Sequence, residues 1–200
     1  FTGKISVKDE AGVITTYTLD DKVALMRENG TPAVFGDINT VNPIVISFNG
    51  KTPESVKIID VTMGKITAID TANRKITLQD YNGVSQTIAL GMTAKIMQNN
   101  SVTSSLVTMV VNQRAQVSKD ELGNTVVKVV SGLKKQFWKY NASTNEISFK
   151  HTLDEKKYTY PVHPKAYLHS GTTILSASSL KDNDNITVYI IDDIIIELEK

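Results

Sequence analysis

Apolar and polar residues alternate with a period of two over several short stretches of this chain. The clearest example lies on either side of the polar turn at residues 72–74, where residues 66–70 and 76–79 both alternate. Such a pattern, bounded by Asn, Asp or Gly, is typical of a β-hairpin, because successive side chains of a strand point to opposite faces. Similar turns occur at residues 10–12 and 142–145. The pattern therefore predicts short, half-buried strands and an all-β fold.

The segment Leu19–Gly30 carries the end signals of a helix, with an Asp near its start and a Gly at its end. Its counterparts in two further copies of the same pattern, residues 92–97 and 163–168, are poor helix formers and fair strand formers. Because copies of one unit should share a backbone, we predict a strand in all three places. Short helical turns are predicted at residues 104–106 and 178–180.

The whole chain consists of three diverged copies of one unit of roughly 60–70 residues. The Gly-Lys-Ile sequence at residues 3–5 recurs at residues 64–66, and residues 131–134 take the same role in the third copy. Several short strands at this spacing predict a small β-barrel or sandwich for each copy. The predicted units are residues 1–60, 61–130 and 131–200. Each has one apolar anchor that we expect to be buried at an equivalent position: Ile38, Leu106 and Leu180.

Composition narrows the classes of protein to which the chain can belong. Its 200 residues are 40% hydrophobic and 22% charged, with a formal net charge of +1. These values are ordinary for a globular protein, and a balanced charge argues against a nucleic-acid partner. The absence of cysteine excludes disulfides, thiolate metal sites and a Cys nucleophile. No apolar run approaches the roughly 20 residues of a membrane span, so membrane insertion is not expected. The start at Phe1, without Met or a signal sequence, suggests a processed fragment.

The best copy of the unit reads Gly64–Asp70, a turn, and Lys75–Leu78, and its other half is clearest at Ser179–Val188. This pattern resembles a β-repeat of Gram-positive cell-surface proteins, in which such repeats stand in tandem beside S-layer homology modules. The chain departs from the pattern at Asn183, where the repeat usually has Gly, and it contains no S-layer homology module. The resemblance implies an extracellular structural role at the cell surface or cell wall. The implied partners are other domains of the same surface protein, neighbouring copies, or wall polysaccharide.

Enzymatic and cofactor motifs are missing from the sequence. It has no G-x-S-x-G elbow, P-loop, dinucleotide-binding glycine fingerprint or H-E-x-x-H. We therefore predict a non-enzymatic module with no catalytic residues, no cofactor and no metal, serving as a spacer or lattice element.

Histidines and acidic residues of the third copy are the remaining candidates for a metal site. His163 and His169, with His151 and Asp154 nearby, have ligand chemistry for zinc. Two prolines interrupt the segment, however, so we expect solvated loop histidines. Residues 182–185 are rich in Asp and Asn but lack the ligand spacing, Gly and Glu of an EF-hand. We expect a polar turn there, with Asp184 and Asn185 exposed and without metal, and weak calcium binding by this loop remains the alternative.

Aromatic residues are concentrated in the third copy, which holds eight of the 13 in the chain. Period-two geometry predicts Trp138 and Tyr140 on one face of a strand and Phe137 on the other. Most aromatic residues on strands pack against their own core. The alternative function is therefore a carbohydrate-binding or wall-polymer-binding module that stacks a sugar ring on Trp138 and Tyr140.

Overall fold

β-Strands are the main secondary structure of the chain, as a computed structural model describes for residues 2–200. This arrangement confirms the predicted all-β class. The helical residues form three one-turn 3-10 segments at Phe35–Asp37, Leu106–Thr108 and Ala177–Ser179. The strands are β1 Thr2–Lys8, β2 Ile14–Asp20, β3 Ala24–Arg27, β4 Ile44–Asn49, β5 Thr52–Ile58, β6 Thr62–Asp70, β7 Lys75–Gln79, β8 Ser85–Ala89, β9 Lys95–Gln98, β10 Ser101–Thr103, β11 Arg114–Lys119, β12 Thr125–Val130, β13 Leu133–Asn141, β14 Glu146–Phe149, β15 Thr159–Ser170, β16 Thr173–Ile174, β17 Asn185–Ile191 and β18 Ile194–Glu199.

Strand pairing divides the described chain into three segments. Strands β1–β2 and β3–β5–β4 form two small sheets, strands β6 to β12 form a third sheet, and strands β13 to β18 form a fourth. No described sheet mixes strands from two of the three predicted units. The compact bodies, by contrast, number two: residues 1–61 with 118–123, and residues 62–117 with 124–200. The division into three separate domains therefore stays a prediction.

The third segment contains a closed ring of five strands. Strand β13 pairs with β14, β14 with the first part of β15, the second part of β15 with β18, β18 with β17, and β17 with β13. Four of these pairings are antiparallel, and β15–β18 is parallel. Large apolar side chains fill the ring. Among them, Phe149, Ile195 and Leu198 are fully buried. This segment is therefore a small barrel, in agreement with the sequence.

The second segment repeats this pairing scheme with one interruption. Strands β8 and β9 together take the place of β15, since β8 pairs with β7 and β9 runs parallel to β12. Ile96 lies opposite Val127, as Leu168 lies opposite Leu198 in the third segment. Residues 90–94, between β8 and β9, lie outside any strand. The sheet is therefore open, although its strands have the same order of neighbours as those of the barrel.

The first segment has the same strand pattern as the other two, but its residues align with theirs differently from the prediction. Strands β1 and β2 meet in a turn over residues 9–12 with the same bonds as the β7–β8 turn over residues 80–83, an Asp-x-x-Gly-Val sequence in both. This turn places Ile5, opposite Tyr17, in the role of Ile76 opposite Ile88. The Gly-Lys-Ile sequence at residues 3–5 therefore corresponds to residues 74–76. The predicted alignment of residues 3–5 with residues 64–66 was wrong. A three-residue match carries too little information to fix a register, whereas a turn fixes it through hydrogen bonds.

The entry proposed for the third copy is displaced as well. Gly64 lies opposite Ala115, and the corresponding position of β13 is Lys135, opposite Ile186. Gly132 precedes that position by three residues. The second and third segments do share a strand at this place, so the error concerns register and not topology.

Anchor residues follow the 3-10 turns. Ile38 and Leu180 each cap such a turn and bond back to its first residue, and Met109 does the same in the second segment. Met109 is therefore the equivalent of the other two, and the assignment of Leu106 was wrong by three residues. Met109, Leu106 and Leu180 are buried, while Ile38 is half-buried against the core of the first segment. The residues after Leu19 form strand β3 and a turn, which confirms the prediction of a strand there.

Candidate functional site

Trp138 occupies a bulge in β13. Phe137 pairs with Phe149 and Lys139 pairs with Ser148, so that Trp138 is the extra residue on its strand. The bulge returns Tyr140 to the side of Phe137, and both contact the core of the barrel. The prediction that Trp138 and Tyr140 share one face was therefore wrong, because a strict period of two does not survive a bulge. Tyr140 donates its hydroxyl to Asn145 Oδ1 at 3.0 Å.

Other side chains gather around Trp138 in place of Tyr140. The ring centroids of His151 and Tyr158 lie 6.4 and 6.3 Å from that of Trp138, and they stack on each other at 3.7 Å. Lys139 Nζ lies 4.4 Å from the Trp138 ring centroid and Lys150 Nζ lies 5.9 Å from it. We call these five residues the Trp138 surface. Trp138 remains 37% exposed.

Two shallow hollows adjoin this surface. One, of about 420 Å³, extends from Trp138 toward Leu180 and Asp182. The other, of about 230 Å³, extends from Trp138 toward Tyr158 and Glu146. An exposed indole ring beside hydrogen-bonding groups can stack a flat apolar ligand face and orient its hydroxyl groups. The arrangement has the chemistry needed for weak sugar binding. The residues beside Trp138 are His151 and Tyr158, whereas the sequence predicted Tyr140.

His163 and His169 lie inside β15 and are buried, which corrects the expectation of solvated loop histidines. The strand continues because Pro164 lies in the irregular stretch between Val162 and Tyr167, where pairing with β18 shifts register. His163 Nδ1 accepts the backbone N–H of Lys165 at 3.0 Å, and its Nε2 is buried without a partner. Burial, followed by the charge of Lys165, lowers the pKa of His163.

A buried ion pair joins the second and third segments. Arg114 Nε and Nη2 donate to Glu197 Oε2 and Oε1, each at 2.5 Å. The side chains of Arg114 and Glu197 are only 9% and 3% exposed. The remaining Arg114 nitrogen, Nη1, donates to the carbonyl of Asn112 at 2.6 Å. Glu197 Oε1 also lies 3.1 Å from His169 Nε2, so the carboxylate faces two basic side chains.

Tyrosine rings enclose this ion pair. The Tyr189 ring centroid lies 4.3 Å from Arg114 Cζ, and Tyr167 stacks between His169 and Tyr81 at 4.2 and 5.4 Å. We call Arg114, Glu197, His169, Tyr81, Tyr167 and Tyr189 the buried joint. Burial and then the negative charge of Glu197 raise the pKa of Tyr81. Burial disfavours the charge of Arg114, but the hydrogen bonds that Arg114 donates to Glu197 and the negative charge of Glu197 outweigh it and raise the pKa of Arg114.

Sequence reasoning missed the buried joint. Its two charges are 83 residues apart, so no local motif contains both. One local signal was available: Glu197 stands between Ile196 and Leu198 in the apolar strand β18. A carboxylate at a buried position between apolar neighbours requires a partner, since an unpaired buried charge is unstable.

The acidic loop at residues 182–185 forms a turn held by ion pairs. Asp184 Oδ2 accepts the backbone N–H of Lys181 at 2.8 Å and pairs with Lys200 Nζ at 2.6 Å. Lys200 and then this backbone bond lower the pKa of Asp184. Asp184 is half-buried, which corrects the expectation of an exposed residue, whereas Asn185 is exposed as predicted. Among residues 2–200, no three His, Cys, Asp or Glu side chains are grouped closely enough to hold a metal ion.

Comparison with known proteins adds no further assignment. The sequence matches no protein-family model and no curated protein. Within residues 2–200, no helix has the length and apolar character needed to cross a membrane.

Proposed function

We propose that this chain is a non-enzymatic structural segment of a secreted bacterial cell-surface protein of the S-layer kind. Its role is to act as a spacer or as an element of lattice contacts. The partners are other domains of the same protein or neighbouring copies, outside the cell. The observation that supports the proposal is the buried joint, which links the second and third segments through the bidentate ion pair of Arg114 and Glu197.

A spacer must keep a fixed distance and orientation between its ends. Apolar contacts alone tolerate sliding, whereas a paired guanidinium and carboxylate bond in one geometry. The buried joint adds such a directional contact to an apolar cluster of Met63, Tyr189, Ile191 and Ile196, with Tyr81 and Val130 at its edge. A second contact between the same segments, Lys128 with Asp192 at 2.5 Å, lies nearer the surface. Together these contacts support a stiff connection between the second and third segments.

Distance measurements between paired spin labels test the spacer role. The chain has no cysteine, so Val84→Cys and Ile174→Cys, at positions 62% and 75% exposed in the second and third segments, give one labelled pair. We expect a single narrow distance distribution, since the buried joint holds the two segments together. A broad distribution in the folded chain would contradict a spacer. Antibodies against the chain should label intact cells of the source bacterium, and labelling only after lysis would contradict the surface location.

Carbohydrate binding is the second candidate, and the exposed indole ring of the Trp138 surface favours it. Trp138 is the only tryptophan, so its fluorescence reports binding of cell-wall polysaccharide fragments directly. We expect Tyr158→Ala to weaken this binding about fivefold, since loss of one stacking contact removes on the order of 1 kcal/mol. Leu133→Ala, at another exposed position of β13, is the matched control and should bind as the unmodified chain does. Unchanged Trp138 fluorescence with every fragment would remove this candidate.

A further inference from the structure

Among the described residues, the first segment lacks one strand that both other segments have. In the second segment, β6 lies between β7 and β11 and pairs with both. In the third, β13 lies in the same way between β14 and β17. In the first segment β1 corresponds to β7, and β4 corresponds to β11. Within residues 2–200, the only hydrogen-bonded neighbour of β1 is β2, and that of β4 is β5.

The correspondence of β4 rests on its partners. Leu25 lies opposite Val56, as Leu168 lies opposite Leu198, and these pairs join the parallel strands of each segment. Val56 in turn lies opposite Ile46, as Leu198 lies opposite Val188. Ile46 therefore takes the place of Val188 in β17. The two strands that should flank the missing one, β1 and β4, also share one apolar core.

Core residues of the first segment are more exposed beside the position of the missing strand than their counterparts in the other two segments. Val7 on β1 and Ile44 and Ile46 on β4 are all half-buried. Their counterparts in the complete barrel of the third segment, Phe149, Ile186 and Val188, are 0%, 2% and 0% exposed. The counterparts in the second segment, Leu78, Ala115 and Val117, are likewise buried. The apolar side chains that a central strand would cover are thus the ones left partly open.

We propose that the space between β1 and β4 is a binding slot for one extended β-strand, joined to β1 by a short turn in the same polypeptide. The connections from β6 to β7 and from β13 to β14 are both four-residue turns, at residues 71–74 and 142–145. A strand entering from the start of β1 reaches the slot through such a turn. This assignment does not depend on the proposed function.

The neighbouring segments also define the chemistry of the occupant. In β6, Ile66 lies opposite Leu78 and Ile69 opposite Ile76, with a bulge between them. In β13, Phe137 and Tyr140 hold the same two places. The occupant of the slot therefore has two large apolar residues three positions apart, facing Val7 and Ile5. Its first residues pair with β4 and its last residues pair with β1, antiparallel to both.

A graft onto the full chain tests this slot. Residues 62–74, which comprise β6 and its turn, are placed directly before Lys4, because Arg74 corresponds to residue 3 in the hairpin register. Hydrogen exchange of residues 4–7 and 44–46 is then compared with that of the unmodified chain. We expect exchange at both places to slow at least tenfold, because both strands gain a hydrogen-bonded neighbour. The control graft carries Asp at the positions of Ile66 and Ile69 and should give no protection.

A second measurement covers the case in which the grafted chain misfolds. A free peptide with the sequence of residues 62–74 is added to the unmodified chain, and saturable protection of the same two strands is expected. Unchanged exchange with the peptide and with a folded graft would overturn the proposal. A dimer of the unmodified chain that the graft converts to a monomer would also overturn it, since a second copy would then be the occupant.

Discussion

Replacing Glu197 by Leu should destabilise the compact body of residues 62–117 and 124–200 by about 3–5 kcal/mol, because it leaves the Arg114 guanidinium buried without its carboxylate. Leu has a similar volume, so the loss reflects the unpaired charge and not a cavity. Urea unfolding followed by Trp138 fluorescence measures the change, since the only tryptophan lies in this body. The spin-label distance should broaden in parallel if the variant remains folded.

The double variant Arg114→Met with Glu197→Leu tests whether the loss of stability comes from the unpaired charge of Arg114. We expect it to recover most of the lost stability, because well-packed apolar residues often replace a buried ion pair without loss. The matched control is Asp192→Asn, which breaks the more exposed Lys128–Asp192 pair between the same segments and should cost less than about 1 kcal/mol. Equal effects of Glu197→Leu and Asp192→Asn would mean that the buried joint does not hold the segments together.

The strands of this fold were predictable because each segment repeats signals that act locally. Alternation around residues 66–79 and the Asp-x-x-Gly turns at residues 9–12 and 80–83 specify hairpins without any knowledge of the rest of the chain. The ambiguous segment after Leu19 was resolved by its counterparts, since a shared backbone outweighs local helix propensity. The register between the copies was less predictable, because a three-residue Gly-Lys-Ile match does not determine which strand will pair with the one that contains it.

The site was less predictable than the fold, for two physical reasons. A bulge at Trp138 adds one residue to its strand, and nothing in an alternating sequence marks where the count changes. The partners of Trp138 then come from a different part of the chain, at His151 and Tyr158. The buried joint depends on two charges, Arg114 and Glu197, that lie in different segments and are 83 residues apart in the sequence. Local pattern specifies strands well, but contacts between segments need the tertiary structure.

Gly64→Ala should be the most damaging single-carbon addition in the second segment, with a loss of about 3 kcal/mol, at the upper end of the usual cost of overpacking. A Cβ at residue 64 would lie 2.1 Å from the carbonyl oxygen and 2.7 Å from the carbonyl carbon of Gln79. Both atoms belong to the backbone, and Gln79 is held by pairing with Lys65 and Ser85. The neighbour therefore cannot rotate away as a flexible side chain would. Urea unfolding followed by Trp138 fluorescence again measures the change.

The matched control for this prediction is Gly91→Ala, since the nearest atom to a Cβ there is Thr93 Oγ1 at 4.0 Å. It should change stability by less than about 0.5 kcal/mol. The equivalent position of the third segment is Lys135, where a side chain is present. A neutral Gly64→Ala would mean that β6 and β7 separate easily at this point, and the close pairing of these strands in the second segment would then be wrong.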